Sequence, residues 1–148
     1  DWTADELFII FYGEEDQKEQ INNEALRFCH TLATNLYIEI SNHVSQGIKY
    51  DIGLSSGHGL IGLQGPGKFK KTTITGDVAG YAKRFETQAK EVRRDVHGHS
   101  FPIVVMDKQL KNASKVLDQY KNHPFSDIKG DVKDIEGMEL SYWQFQDN

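Results

Sequence analysis

The sequence predicts an α+β domain, and three observations carry that expectation. Leu7-Phe8-Ile9-Ile10-Phe11-Tyr12, closed by Gly13, and Phe101-Pro102-Ile103-Val104-Val105-Met106 are continuous apolar runs of strand length. Between them Ile21, Ala25, Leu26, Cys29, Leu32, Ala33 and Leu36 recur at threes and fours, which lays one apolar stripe along a long helix. A hairpin signal then interrupts the alternation of strands and helices, which favours α+β over a doubly wound sheet.

Taken in order, residues 7–12 read as the first complete strand, buried on both faces. Glu14, Glu15 and Asp16 place negative charge at the start of the following helix, where its dipole favours it. After Ser45-Gln46-Gly47, the residues Ile48, Tyr50, Ile52 and Leu54 alternate with Lys49 and Asp51, the period of a strand. Gly57-His58-Gly59 supplies a turn, and Leu60, Ile61 and Leu63 read as the return strand of a hairpin ending at the loop Gly65-Pro66-Gly67. Asp77 opens a helix carrying Val78, Tyr81, Ala82, Phe85 and Ala89, with Thr75 or Asp77 as its cap. Residues 101–106 form a strand with its proline near the start, Asp107 begins a helix through Leu117, and residues 138–145 alternate as a closing strand.

Composition bounds the function. With 148 residues, 38% apolar and 26% charged, the chain has the size and the core of one soluble globular domain. A net charge of -5 argues against a nucleic acid partner, because phosphate binding needs clustered Lys and Arg. Cys29 is the only cysteine, so neither an intrachain disulfide nor a thiolate zinc site is available, and a reducing cytoplasmic setting fits. No apolar run approaches the roughly 18 to 20 residues needed to span a bilayer, so no membrane contact is expected of this domain.

Residues 52–86, IGLSSGHGLIGLQGPGKFKKTTITGDVAGYAKRFE, resemble without gaps the central signature of class III adenylate and guanylate cyclases. The shared features are Gly53, Gly57, Gly62 and Gly65, the pair Gly76-Asp77 that opens a helix, and Ala82, Arg84 and Glu86 within it. Upstream, Ala4-Asp5-Glu6-Leu7 looks like the family's hairpin turn, and residues 103–106 and 130–145 look like its last third. The resemblance covers nearly the whole chain and implies a ferredoxin-like sheet with helices on one face. It also implies that the family's first strand, with its metal-binding Asp, lies upstream of residue 1. A sheet lacking that member exposes unpaired edges, so upstream residues or an exchanged element are expected to complete it. Diguanylate cyclases share the hairpin, but they carry two glycines where this chain has Thr3-Ala4.

What the resemblance implies for chemistry is specific. A cyclase drives the ribose 3′-oxygen of ATP or another nucleoside triphosphate onto its own α-phosphate at a dimer interface, with two Mg2+ or Mn2+ ions and an Arg on the developing charge. Asp5 falls on the second metal-binding Asp, Arg84 on the transition-state Arg, and Thr73 on the purine-selecting position. Gly80 stands where the family has a ribose-orienting Asn, Asp1 where it has a purine-selecting Lys, and Glu136 where a Lys meets the triphosphate; a local slip would bring Lys133 there instead.

These departures favour a degenerate homology domain that serves cyclic-nucleotide signalling by dimerisation, nucleotide binding or regulation, as a homodimer or with another cyclase-type domain. The alternative is an adenylate cyclase, active once upstream residues are included. Other constellations are weaker. His97-Gly98-His99 lacks a third metal ligand, His30 and His58 read as structural, Ser55-Ser56 with His58 lacks an acyl-enzyme setting, and Gly65-Pro66-Gly67-Lys68 lacks the spacing of a Walker loop.

Overall fold

The computed structural model describes residues 6–44, 48–96, 101–130, 132, 135 and 137–146, together with the backbone of residues 2–3. In chain order the strands are β1 (Trp2–Thr3), β2 (Glu6–Leu7), β3 (Ile52–Leu54), β4 (Leu60–Gln64), β5 (Lys71–Thr75), β6 (Val104–Asp107), β7 (Phe125–Asp127) and β8 (Leu140–Trp143). The helices are α1 (Lys18–Ala33), α2 (Asn35–His43), α3 (Asp77–Asp95) and α4 (Lys108–Ala113), with 3-10 turns at Glu15–Gln17 and Lys115–Tyr120. The expected α+β class is what is seen: a mixed sheet in the order β3-β6-β8-β7, in which β3 and β6 are parallel and the other pairs antiparallel. None of the described helices is long and apolar enough to cross a membrane.

Strand β6 organises the interior because its side chains alternate between faces. Val104 and Met106 join Leu26, Cys29, Leu110, Trp143 and Phe145 on the side of α1 and α4. Ile103 and Val105 join Phe85, Ala89, Val92 and Leu140 on the side of α3. Helices therefore cover both faces, which corrects the expectation of helices on one. The reason is the apolar character of residues 103–106 on both sides of the strand, which only a second helical layer can cover.

Several local readings also change. Residues 8–12 form no described strand: Glu6–Leu7 pairs with Trp2–Thr3, and no described strand lies beside residues 8–12 to complete a ladder. The long helix breaks at Thr34, whose backbone leaves helical geometry and whose hydroxyl donates to the His30 carbonyl at 2.6 Å, competing with the helical ladder.

The hairpin is not residues 48–54 with 60–63. Leu60–Gln64 pairs instead with Lys71–Thr75 around the tip at Gly65 and Gly67, while Ile52–Leu54 lies parallel to Val104–Met106. The helix opened by Asp107, whose carboxylate accepts from the Gln109 amide at 2.7 Å, ends at Ala113, and a 3-10 turn continues from Lys115. β7 was not anticipated, and the closing strand is shorter than expected, Leu140–Trp143.

A half-buried ion pair closes the sheet against α3. Arg93 donates from Nε to Asp51 at 2.8 Å and from Nη2 to the Phe101 carbonyl at 2.9 Å, while Asp51 also accepts from the Ile103 amide at 3.0 Å. One carboxylate thereby fixes the entry to β3, the end of α3 and the entry to β6.

Candidate functional site

Helix α3 carries most of the residues of interest. It starts after Gly76, whose φ of 134° lies in a region that side chains avoid, so glycine is required at this turn. The helix lies hard on β3: a Cβ built at Gly53 would stand 2.1 Å from the Ala82 carbonyl and 2.3 Å from the Glu86 amide. No residue larger than glycine fits there. Gly53, Ala82 and Glu86, three positions of the signature, are thus one packing contact between strand and helix.

Arg84 is exposed on the outer face of α3, with its guanidinium carbon 5.7 Å from the Tyr81 ring centroid. The nearby carboxylates of the helix are engaged elsewhere: Glu86 pairs with Lys83 at 3.3 Å and Lys90 at 2.7 Å, and Glu91 pairs with Arg94 at 3.0 Å. Among the described residues no carboxylate pairs with Arg84. Gly80 lies four residues earlier, hence on the same face. A Cβ at Gly80 meets nothing within 4 Å, so the space a side chain would occupy is open.

Thr73 sits half-buried in β5 opposite Gly62 of β4, which has no side chain to cover it. No hydrogen bond or ion pair joins Thr73 to Arg84 or to the Gly80 backbone among the described residues. The structure therefore places Gly80 and Arg84 together and Thr73 on a separate element.

Asp5, Asp1, Lys133, Glu136, His97 and His99 lie outside the described residues. Glu6, next to Asp5, accepts a hydrogen bond from the Lys83 ammonium, which ties the β1-β2 ribbon to α3 beside Arg84. That bond, more than the charge of Glu86, raises the Lys83 pKa above its ordinary value. Among the described residues no three His, Cys, Asp or Glu side chains stand close enough to hold a metal ion, so the Mg2+ or Mn2+ site that the resemblance implies finds no ligand set there.

The remaining constellations resolve structurally. The Ser55 hydroxyl donates to the Val78 carbonyl at 2.5 Å and the Ser56 hydroxyl to Asn22 Oδ1 at 2.8 Å, so neither is paired with His58. His30 stacks on Tyr120 at 3.9 Å between ring centroids and lies 5.4 Å from His123. Cys29 is buried, which pushes its thiol pKa up to about 12 and leaves it unreactive at neutral pH.

Three features escaped the sequence. The Lys83–Glu6 and Arg93–Asp51 pairs join residues 77 and 42 positions apart, and a lone charge on a helix carries no mark of so distant a partner. The third is a cleft of about 350 Å³ between residues 8–13 and the free edge of β3, bounded by Val78 and Ala82 on the inner side of α3. Its signal was the apolar run at 7–12, a strand sequence of which residues 8–12 have no described strand beside them.

The fold thus defines an α+β domain with a mixed sheet covered on both faces. No family model, curated protein or solved structure matches the chain.

Proposed function

We propose that the chain is a class III nucleotidyl cyclase homology domain that serves cyclic-nucleotide signalling through association with a second cyclase-type domain rather than through catalysis. The observation that carries this reading is the Gly53 contact. The signature glycine is needed to seat the backbone of α3 at Ala82 and Glu86 on β3, so this part of the signature can persist for packing after the chemistry is lost. At Gly80, where packing asks for nothing, the side chain that would orient a ribose is absent.

The β4-β5 hairpin supports association. It pairs with no other described strand, and Leu60, Leu63 and Phe69 are 78%, 66% and 74% exposed. An apolar, two-stranded arm of this kind is suited to lie against a second domain, which would remove those side chains from water at about 25 cal/mol per Å². Lys68, Lys70 and Lys71 around the tip keep the arm in solution until it docks.

A second reading, an adenylate cyclase that is active with upstream residues, is favoured by Arg84. An exposed guanidinium with no described carboxylate partner is free to meet a phosphate, and Thr73 can hydrogen-bond an adenine. The test is cyclic nucleotide production from ATP or GTP with Mn2+, on this chain and on a version extended upstream in its gene, with sedimentation to measure dimerisation. Dimerisation without turnover is the expected result. Turnover that Arg84→Ala abolishes would establish the enzyme instead.

A further inference from the structure

The β4-β5 arm separates its charge from that of the rest of the chain. Between Asp51 and Asp77 the sequence has no Asp or Glu, and Lys68, Lys70 and Lys71 give this stretch a formal charge of +3. With a total of -5, the remainder carries -8 (-5 - 3). Among the described residues no carboxylate pairs with Lys68 or Lys70.

The tip of the arm is a hydrogen-bonded turn. The Phe69 amide donates to the Pro66 carbonyl at 3.0 Å, and Gly67 adopts a φ of 53° inside that turn. Phe69 is thereby held near the apex, three-quarters exposed, with the Lys68 ammonium 5.7 Å from its ring centroid. Residues 60–72 are exposed throughout, and strands that rise about 3.3 Å per residue carry the tip roughly 15 Å beyond Leu60.

We infer that this tip docks on a bilayer surface that carries anionic lipid, with Phe69 in the boundary between headgroups and acyl chains and Lys68 and Lys70 against the lipid charge. An apolar ring enters that boundary while lysines on long stems stay hydrated at the level of the headgroups. All the cations of the tip are lysines, a residue depleted from protein interfaces, where arginine is favoured. The acidic remainder of the chain does not oppose the contact, because charges roughly 15 Å away lie beyond the Debye length of about 8 Å at physiological ionic strength. The expectation of no membrane contact rested on the lack of a spanning run, and a peripheral contact needs none. The inference goes beyond the association proposed above and does not depend on it: Leu60 and Leu63, on the strands, remain available to a second domain.

The test is co-sedimentation of the intact chain with vesicles of phosphatidylcholine alone or mixed with phosphatidylserine at about two to one. Binding to the mixed vesicles is expected, at least about tenfold weaker on phosphatidylcholine alone or at high salt. Lys68→Gln with Lys70→Gln should weaken it about fivefold for each lysine removed, with thermal unfolding unchanged. Phe69→Trp should add an emission that shifts to the blue on mixed vesicles and is quenched by lipids brominated in their acyl chains. Absent binding, equal binding to both vesicles, or full binding by the double glutamine variant would overturn the inference. Binding without a shift at the new tryptophan would place the contact on another face and overturn it too. A double glutamine variant that loses dimerisation but keeps vesicle binding would assign the lysines to a protein partner, with the same consequence.

Discussion

Single residues decide how α3, β3 and β6 hold together. Asp51→Ala leaves the half-buried Arg93 without its carboxylate and the Ile103 amide without its acceptor, and should cost about 2–3 kcal/mol in urea unfolding. Gly53→Ala forces a methyl group into the backbone of α3 and should cost about 3 kcal/mol or prevent folding. Gly80→Asn meets no neighbour and replaces a poor helix former, so stability should stay within about 0.5 kcal/mol. Histidine titration sets a pH limit. Burial, and for His30 also the charge of His123, lowers both pKa values, and His123 is buried with Nδ1 unpartnered. Both rings take up protons less readily in the fold than in the unfolded chain, which does so below about pH 6.5. Stability is thus fully present above that pH and declines as pH falls through it towards the lowered folded values. Thermal unfolding from pH 7.5 to 5 should show this, and His30→Gln with His123→Gln should flatten the profile. Of the candidate site, Arg84 and Gly80 were legible because helical spacing alone puts them on one face. Thr73's separation from them was not, since it depends on where the hairpin projects.

Elements show what periodicity can and cannot encode. The stripe from Ile21 to Ala33 and the run at 103–106 were legible because local spacing determines which sides are apolar. The partner of β3 was not: alternation in Ile48 to Leu54 specifies a strand but not what it pairs with, and a nearby Gly-His-Gly turn suggested the wrong neighbour. Residues 8–12 had every property of a strand except a described partner, and pairing is a property of two segments. The β4-β5 arm belongs to this scale as well. Leu63→Lys combined with Phe69→Glu removes apolar area only from an exposed hairpin, so the monomer should unfold at an unchanged temperature. If the arm docks a second domain, dimer dissociation by sedimentation should become at least about tenfold easier, whereas an unchanged dimer would place the interface elsewhere.

Across the whole molecule, two layers of helix hold one main sheet, whose described edges are β3 and β7. Its β7 end carries Phe125 stacked on Trp143 at 5.1 Å, while its β3 end meets the cleft. The α+β class was legible from the order of apolar runs and stripes, but the layering was not, because residues on both faces of β6 are apolar and only packing shows which helix covers which. The parallel ladder has a further consequence for how the chain reaches this state. Ile52 pairs with Val104 across 52 positions (104 − 52), whereas Gln64 and Lys71 meet across only seven (71 − 64). The hairpin can close within microseconds of the start of folding, but the β3-β6 register must wait for the whole of α3 to be gathered between its strands. In stopped-flow refolding the hairpin should therefore lead and burial of Trp143 should lag, leaving for that interval an apolar arm exposed beside an unformed sheet, the period in which the chain is most prone to aggregate.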